Sequence, residues 1–252
     1  MLEIIDFGLA HYGEILEMQT KLFENLISQK KTGKIEKEYL LLGEHPAVIT
    51  LGRRAKPENI LATPTQLHSR EIPIFQIGRG GDVTYHCPGQ LIVYPIIDLE
   101  RHNLGVKEYV NTLEESVIRL LRKYGIEAER IESATGVWLG KNSSEERKVC
   151  AIGVKCSRFC TMHGLALNVN ADLSGFSLIN PCGFQDKGVT SIHKEMRALK
   201  NEKNVPCGSS ALEGFQSFSS GEKINMGEVK KDFLRIFLSL IFPFEEILNF
   251  PE

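Results

Sequence analysis

The sequence predicts an α+β fold with a mixed, mostly antiparallel central sheet flanked by helices. Two patterns carry that expectation. Short apolar runs, bounded by Gly, Pro, Asn or Ser, crowd the middle of the 252-residue chain as strands do. Segments with helical spacing of apolar residues frame them, without the strict strand–helix alternation of a parallel βαβ sheet. With 42% apolar and 25% charged residues the composition allows a hydrophobic core, and the whole chain, 1–252, is read as one domain.

Each element has its own signal. LEIIDF opens the chain as a short strand, and residues 12–29 follow as a helix with Ile15, Met18, Leu22 and Leu26 on one face. EYLLLGEHPAVITLG reads as two strands broken at Glu44-His45-Pro46. IPIFQIG is another strand and runs into the glycine-rich GRGGD, while QLIVYPIIDL has the unbroken apolar character of a buried strand. The clearest helix is 106–124, where Tyr109, Leu113, Val117, Leu120 and Leu121 share a stripe. Arg119, Arg122 and Lys123 suit the negative end of its dipole, and Gly125 is placed to cap it. IEAERI, GVWLG, KVCAIGVK and HGLALNV then read as a strand meander. A last helix covers 227–241, with Val229, Phe233, Ile236, Phe237 and Leu240 inside. Residues 195–225 are polar and rich in Ser, Gly and Lys. They are read as a mobile surface insertion, a solvated loop in preference to a functional lid.

Thirty Lys and Arg against 32 Asp and Glu give a net charge of −2. No global basic field exists to recruit nucleic acid or an acidic membrane, so neither is expected as a partner. The first residues, MLEIIDFGLAHYGE, carry early acids and lack a basic start before an apolar run, so no targeting segment is expected. The longest apolar stretch, FLRIFLSLIFPF, is too short to span a bilayer and is interrupted by Arg235 and Pro243. A cytoplasmic protein is the expectation. Cys87, Cys150, Cys156, Cys160, Cys182 and Cys207 include no CxxC pair, and reduced thiols are expected in that compartment. A metal site built from Cys156, Cys160 and His163 would match no common zinc spacing, so no metal or other cofactor is expected.

Four blocks hold residues suited to chemistry. GRGGDVTYHCPGQ, at 78–90, lies between two apolar strands, and its glycines let backbone N–H groups approach a ligand. A tight hairpin with glycines at its turns explains the composition equally well. It is not a dinucleotide fingerprint, since no helix follows at the right spacing. In Asn180-Pro181-Cys182-Gly183 a thiol sits in a turn. Most free cysteines are small buried hydrophobes, a description that fits Cys150 and Cys156 better than Cys182. In RKVCAIGVK, at 147–155, Lys148 opens and Lys155 closes an apolar strand. A lysine at a strand end is usually solvated; the functional alternative is that one of them lies beside a thiolate and lowers its pKa. TMHGLALNV, at 161–169, reads first as a buried strand, and its Gly-Leu-Ala equally as a smooth wall for an aliphatic ligand.

Taken together, the blocks resemble the octanoyltransferases of lipoate biosynthesis, within the biotin and lipoate protein ligase superfamily. The resemblance rests on His45-Pro46, Thr50-Leu51-Gly52-Arg53, RGGDVTYHCPGQLIVYPI at 79–96, KVCAIGVK at 148–155, HGLALNV at 163–169 and NPCG at 180–183, in the family's order. It implies a biotin/lipoate ligase-like sheet flanked by helices. It also implies ping-pong acyl transfer, with Cys182 as the nucleophile that holds the octanoyl group as a thioester and Lys148 as the lysine that activates it. Lys155 is the lesser candidate. The implied acyl-binding segments are Arg79, Gly80, Gly81, Asp82, Val83, Thr84, Tyr85 and His86, then Ala151, Ile152 and Gly153, then Gly164, Leu165 and Ala166. His86 and His163 orient groups without a definite acid–base role. The implied donor is octanoyl-acyl carrier protein. The implied acceptors are lipoyl domains of 2-oxoacid dehydrogenase complexes and the glycine cleavage H protein. Both kinds of partner are acidic in this family, so Arg53, Arg54, Lys56, Arg79 and Arg158 are candidates for a basic rim.

Two features depart from the pattern. Residues 195–225 look longer and more polar than the family's usual connection, and Cys87 places a second thiol where oxidation would reach it. Three rivals stay in view. A lipoate or biotin ligase of the same superfamily would need a nucleotide loop, and none is evident. A related transferase would move octanoyl groups between lipoyl domains. A non-catalytic acyl or carrier-protein binder would survive Cys182→Ala.

Overall fold

The computed structural model describes residues 1–132, 134–180, 187–203 and 223–242, with 201–203 described by backbone alone. The elements run β1 (Leu2–Leu9), α1 (Tyr12–Lys31), β2 (Glu38–Glu44), β3 (Val48–Leu51), α2 (Pro64–Ser69), β4 (Ile74–Gln76), β5 (Val83–His86), β6 (Gln90–Ile96), α3 (Val106–Lys123), β7 (Glu129–Ile131), β8 (Ala134–Leu139), β9 (Arg147–Ser157), β10 (Cys160–Asn168), β11 (Gly188–Val189), α4 (Ile192–Lys203) and α5 (Met226–Ile241).

The unbroken apolar run of β6 puts it in the middle of the main sheet, where every one of its residues is buried. Neighbours in that sheet follow the order β1-β2-β6-β10-β9-β8-β7, with β11 added along β9. The β1–β2 and β9–β11 pairs are parallel; the others are antiparallel. The meander expected from IEAERI to HGLALNV is therefore β7 to β10. A smaller sheet, β4-β3-β5, packs its own apolar cluster around Ile49, Val83, Tyr85 and Phe176.

Helices cover both faces of the main sheet. On one, α3 and α5 pack Tyr109, Leu113, Val117, Leu120, Phe233 and Phe237 onto Leu91, Val93, Leu165 and Leu167. Leu113 is fully buried, and truncating such a leucine to alanine costs about 2–5 kcal/mol. Gly125 takes the left-handed backbone, φ +68°, just past α3, so the expected cap is in place. On the other face α1 packs Ile15, Phe23 and Leu26 against Ile92, Tyr94, Met162 and Ala166. Its buried stripe is Ile15, Gln19, Phe23 and Leu26, not the expected set with Met18, which is exposed. Gln19 is drawn inward because its Oε1 accepts a hydrogen bond from the His163 amide at 3.1 Å.

The expectation of a loop across 195–225 needs correction. Residues 192–203 form α4, held by Ile192, which is fully buried, and by Met196 and Leu199 against the main core. Arg147 forms two hydrogen bonds to Glu195, at 2.7 and 2.6 Å, which fasten the helix to β9. Ile224 is buried too, and its amide donates to Asn170 Oδ1 at 3.0 Å. Residues 204–222 lie outside the described residues. Among the described residues no helix is long and apolar enough to cross a membrane.

Candidate active site

The glycine-rich GRGGD loop lies across β9. The Gly80 amide donates to Val154 O at 2.8 Å. That approach depends on Gly153, because a Cβ there would meet Gly80 O at 2.9 Å and Arg79 Cδ at 3.0 Å. Arg79 is buried and its guanidinium helps to position the loop. Nη2 donates to Thr50 O at 2.8 Å and Nη1 to Gly80 O at 2.9 Å. Asp82 closes the loop by accepting from the Val83 amide at 2.8 Å and from Asn59 Nδ2 at 2.5 Å.

Below the loop lies a narrow cavity that opens to solvent. β9 contributes Ala151, Ile152 and Gly153, and β10 contributes Gly164, Leu165 and Ala166. Gly164 is needed for the two central strands to close, since a Cβ there would sit 2.2 Å from Val93 O. The loop and β5 add Arg79, Gly81, Asp82, Val83, Thr84 and His86. Two residues of the expected set are placed elsewhere. Gly80 lines an adjoining open cleft instead. Tyr85 faces away, with its ring edge-on to Phe176 at 5.5 Å, because successive side chains of β5 alternate faces.

Lys148 stands where the cavity meets that adjoining cleft and lines both. It is buried and pairs across the sheet with Trp138. Its Nζ lies 4.5 Å from the Trp138 ring centroid and donates to Thr135 O at 3.2 Å. The indole is itself fixed, with Nε1 donating to Ala134 O at 2.7 Å. Lys155 lines neither space; its Nζ lies over the Phe23 ring at 5.0 Å.

Cys182 lies outside the described residues, but both flanks of 181–186 are tied to this wall. The Asn180 amide donates to Asn59 O at 2.8 Å, and Asn59 in turn holds Asp82. On the other side Lys187 pairs with Glu146 at 2.6 Å and lies over the Trp138 ring at 5.0 Å. β11 then runs beside Arg147 and Lys148, and the Thr190 amide donates to Lys148 O at 3.0 Å.

Sequence reading named His86 and His163 but missed the aromatic floor around them. Tyr12, Tyr94, His86 and His163 line the cavity, with His45 behind them. His45 Nδ1 donates to Ala10 O at 2.7 Å, which leaves Nε2 to accept from the Tyr94 hydroxyl at 3.1 Å. His86 Nδ1 pairs with Gln90 Oε1 at 3.1 Å. Burial, with positive neighbours adding to it, pushes His86 and His163 each down to about 3. Burial lowers His45 as well. All three imidazoles are neutral at physiological pH. Tyr12 and Tyr94 carried no signal beyond their place on apolar-patterned segments. Cys87 is buried and its thiol is pushed up to about 12, by burial first and then by Asp172, so it is a core thiol and not an oxidation-prone one. Among the described residues no cluster of His, Cys, Asp and Glu is arranged to hold a metal.

Residues 11–211 match the lipoyl protein ligase A/B catalytic domain. The chain belongs to that family. It is 52% identical to an octanoyltransferase of Bacteroides thetaiotaomicron over 77% of this chain and 86% of that one. It is 53% identical to an octanoyltransferase of Parabacteroides distasonis over 76% of this chain and 87% of that one. Among solved structures, a bi-partite lipoate protein ligase from Thermoplasma acidophilum aligns with a TM-score of 0.59 at 15% identity, over 95% of this chain and 84% of that one. That last likeness is one of fold.

Proposed function

We propose that this enzyme is an octanoyltransferase of protein lipoylation and that it works through Cys182. Octanoyl transfer is the activity named for relatives about half identical over three quarters of the chain. The observation that carries the finer reading is the cavity. Apolar walls from β9 and β10 lead to Lys148, and the flanks of the Cys182 segment are anchored, one at Asn59 beside Asp82 of the loop and the other along β9 at Arg147 and Lys148.

In this reading octanoyl-acyl carrier protein supplies the acyl group. The Cys182 thiolate attacks the thioester carbonyl, a new C–S bond forms, and the donor thiol leaves with a proton. The amine of a lipoyl-domain lysine then attacks, the C–N bond forms as the Cys182 C–S bond breaks, and one proton is lost. Lys148 favours the thiolate as an ammonium in the first half and accepts the acceptor's proton as an amine in the second. A thioester-to-thioester exchange is nearly isoenergetic, so no ATP is consumed. Burial of the chain along Ala151, Ile152, Leu165 and Ala166 stabilises binding by roughly 0.8 kcal/mol per CH₂. Acceptors are lipoyl domains of 2-oxoacid dehydrogenase complexes and the glycine cleavage H protein, and the reaction runs in the cytoplasm, where thiols stay reduced. Arg53 and Arg54 are exposed beside the loop, with Arg54 lining the adjoining cleft, and suit acidic partners.

The test is intact mass after mixing the protein with octanoyl-acyl carrier protein without ATP. One octanoyl group should appear on the wild type, be absent from Cys182→Ser and form slowly on Lys148→Ala. No adduct, with lipoyl-domain modification only when ATP and free octanoate are added, would make the enzyme a ligase.

A further inference from the structure

Beside Lys148, β9 carries one residue more than β8. Val137 pairs with Cys150 and Trp138 with Lys148, so Val149 is an added residue, a bulge in the strand. Val149 and Cys150 are both fully buried in the core beneath α3 and α5. Strict alternation would send Lys148 into that core with Cys150. The bulge reverses the alternation, and Lys148 joins Trp138 on the other face, where it lines the cavity.

The turn of the backbone opposite the bulge ties this lysine to α3. Gly136 takes φ +124°, and a Cβ there would lie 2.5 Å from Cys150 O and 3.4 Å from Lys148 Cε. The Gly136 amide donates to Glu114 Oε1 of α3 at 3.0 Å. The carbonyl of the same peptide group, Thr135 O, accepts from Lys148 Nζ at 3.2 Å. The peptide is trans, so its N–H and C=O point in opposite directions. One peptide group therefore stands between a carboxylate and an ammonium, its N–H on the first and its C=O on the second. Glu114 is 6% exposed, and burying a carboxylate costs free energy that an apolar residue at that place would not incur. Arg130 Nε lies 3.2 Å from Glu114 Oε2, while the rest of the guanidinium is held by Glu115 and Asn111 O at 2.8 and 3.0 Å.

We propose that Glu114 is a positioning residue for Lys148 and acts through the Thr135–Gly136 peptide. This rests on the reading of Lys148 as the activating lysine. The carboxylate fixes the peptide by a charge-assisted bond to the Gly136 amide. That aims the Thr135 carbonyl at Nζ, and donation by the N–H strengthens the same group as an acceptor. The ammonium is then held between this carbonyl and the Trp138 ring, where the cavity meets the adjoining cleft.

The experiment measures single-turnover acylation from octanoyl-acyl carrier protein, and kcat and KM for transfer, in Glu114→Gln, Glu114→Leu and Glu114→Asp. Each is made with and without Lys148→Ala, and thermal melts establish which are folded. Glutamine keeps an oxygen for the Gly136 amide and exchanges a charged bond for a neutral one, so acylation should stay within about threefold of the wild type. Leucine offers no acceptor and aspartate falls short of the amide. Both should slow acylation by about 10–100-fold with KM unchanged, the scale of a misplacement of about 1 Å at a reacting group. With Lys148→Ala neither should add to the loss, because no lysine is left to position. If Glu114→Leu does not fold, Glu114→Asp decides. A folded variant without the acceptor that acylates at the wild-type rate, or a loss that recurs undiminished with Lys148→Ala, would overturn the proposal. Wild-type acylation in Lys148→Ala itself would overturn the reading of that lysine as well.

Discussion

At the residue scale the site turns on what surrounds Lys148. The indole of Trp138 and the carbonyl of Thr135 both hold its Nζ, and the indole is itself fixed because Trp138 is tied to Ala134 and is almost fully buried. Replacing Lys148 by Ala should slow acylation of Cys182 by about 10²–10⁴-fold, the range for losing a positioned acid–base group. Trp138→Leu should leave the lysine in place but free to swing, with a loss of about 2–30-fold that corresponds to a cation–π contact of about 0.5–2 kcal/mol. Single-turnover acylation of both variants checks the order; equal losses would mean that Trp138 matters only for the fold. Lys148 and Lys155 both stand out in the sequence as lysines at the ends of an apolar run, and only the family resemblance chose between them. Trp138, Tyr12 and Tyr94 do not stand out, because an aromatic on an apolar-patterned strand or helix has the same signature in a core as in a cavity wall. The Tyr85 ring turns from the cavity toward Phe176, which a motif cannot foretell because it marks a stretch of chain and not the direction of each side chain. The glycines of the set prove to act on backbone packing. Gly164→Ala should reduce folded yield outright, since no side chain can retreat from the Val93 carbonyl.

At the element scale the strands and long helices were legible because periodicity and caps agree. β5 and α4 were not, and for different reasons. β5 is four residues long and enclosed by glycines and a proline, so its pattern is too short to separate from a loop. α4 is polar along most of its length and gains its place through Ile192, Met196, Leu199 and an ion pair. That pair has functional leverage. Burial raises Glu195, but hydrogen bonds from Arg147 and Thr190 outweigh it and hold the carboxyl below its usual range. The same arginine opens β9, one residue before Lys148, and pairs with Gly188 of β11. Arg147→Ala should leave a buried carboxylate without its cation and cost about 1–3 kcal/mol of stability. It should also loosen β11 and so lower acyl transfer several-fold. Amide exchange of Val189 and Thr190 should quicken in step with the loss of activity. Unchanged exchange with normal transfer would show that α4 is held by its apolar face alone.

At the scale of the whole molecule, the sheet carries neutral imidazoles into the same buried region from three different strands or loops. His45 precedes β3, His86 ends β5 and His163 lies in β10, and Arg79 adds a fixed positive charge to the same enclosure. A proton added to any of them would be buried without a counter-charge. The unfolded chain has no such restraint, and its histidines bind protons below about pH 6.5. Between that pH and the folded values of about 3 for His86 and His163, the unfolded state therefore holds protons that the folded state refuses. Stability is fully present above pH 6.5 and must fall as pH falls through this window. From pH 6.5 to 4.5 each of these two groups should cost on the order of 2–3 kcal/mol, at 1.36 kcal/mol per unit. Denaturant melts at pH 7.5 and 4.5 should differ by several kcal/mol, and His163→Gly should remove about half of the difference by removing one of the two groups. Melts that coincide at the two pH values would mean that the imidazoles are protonated in the folded protein.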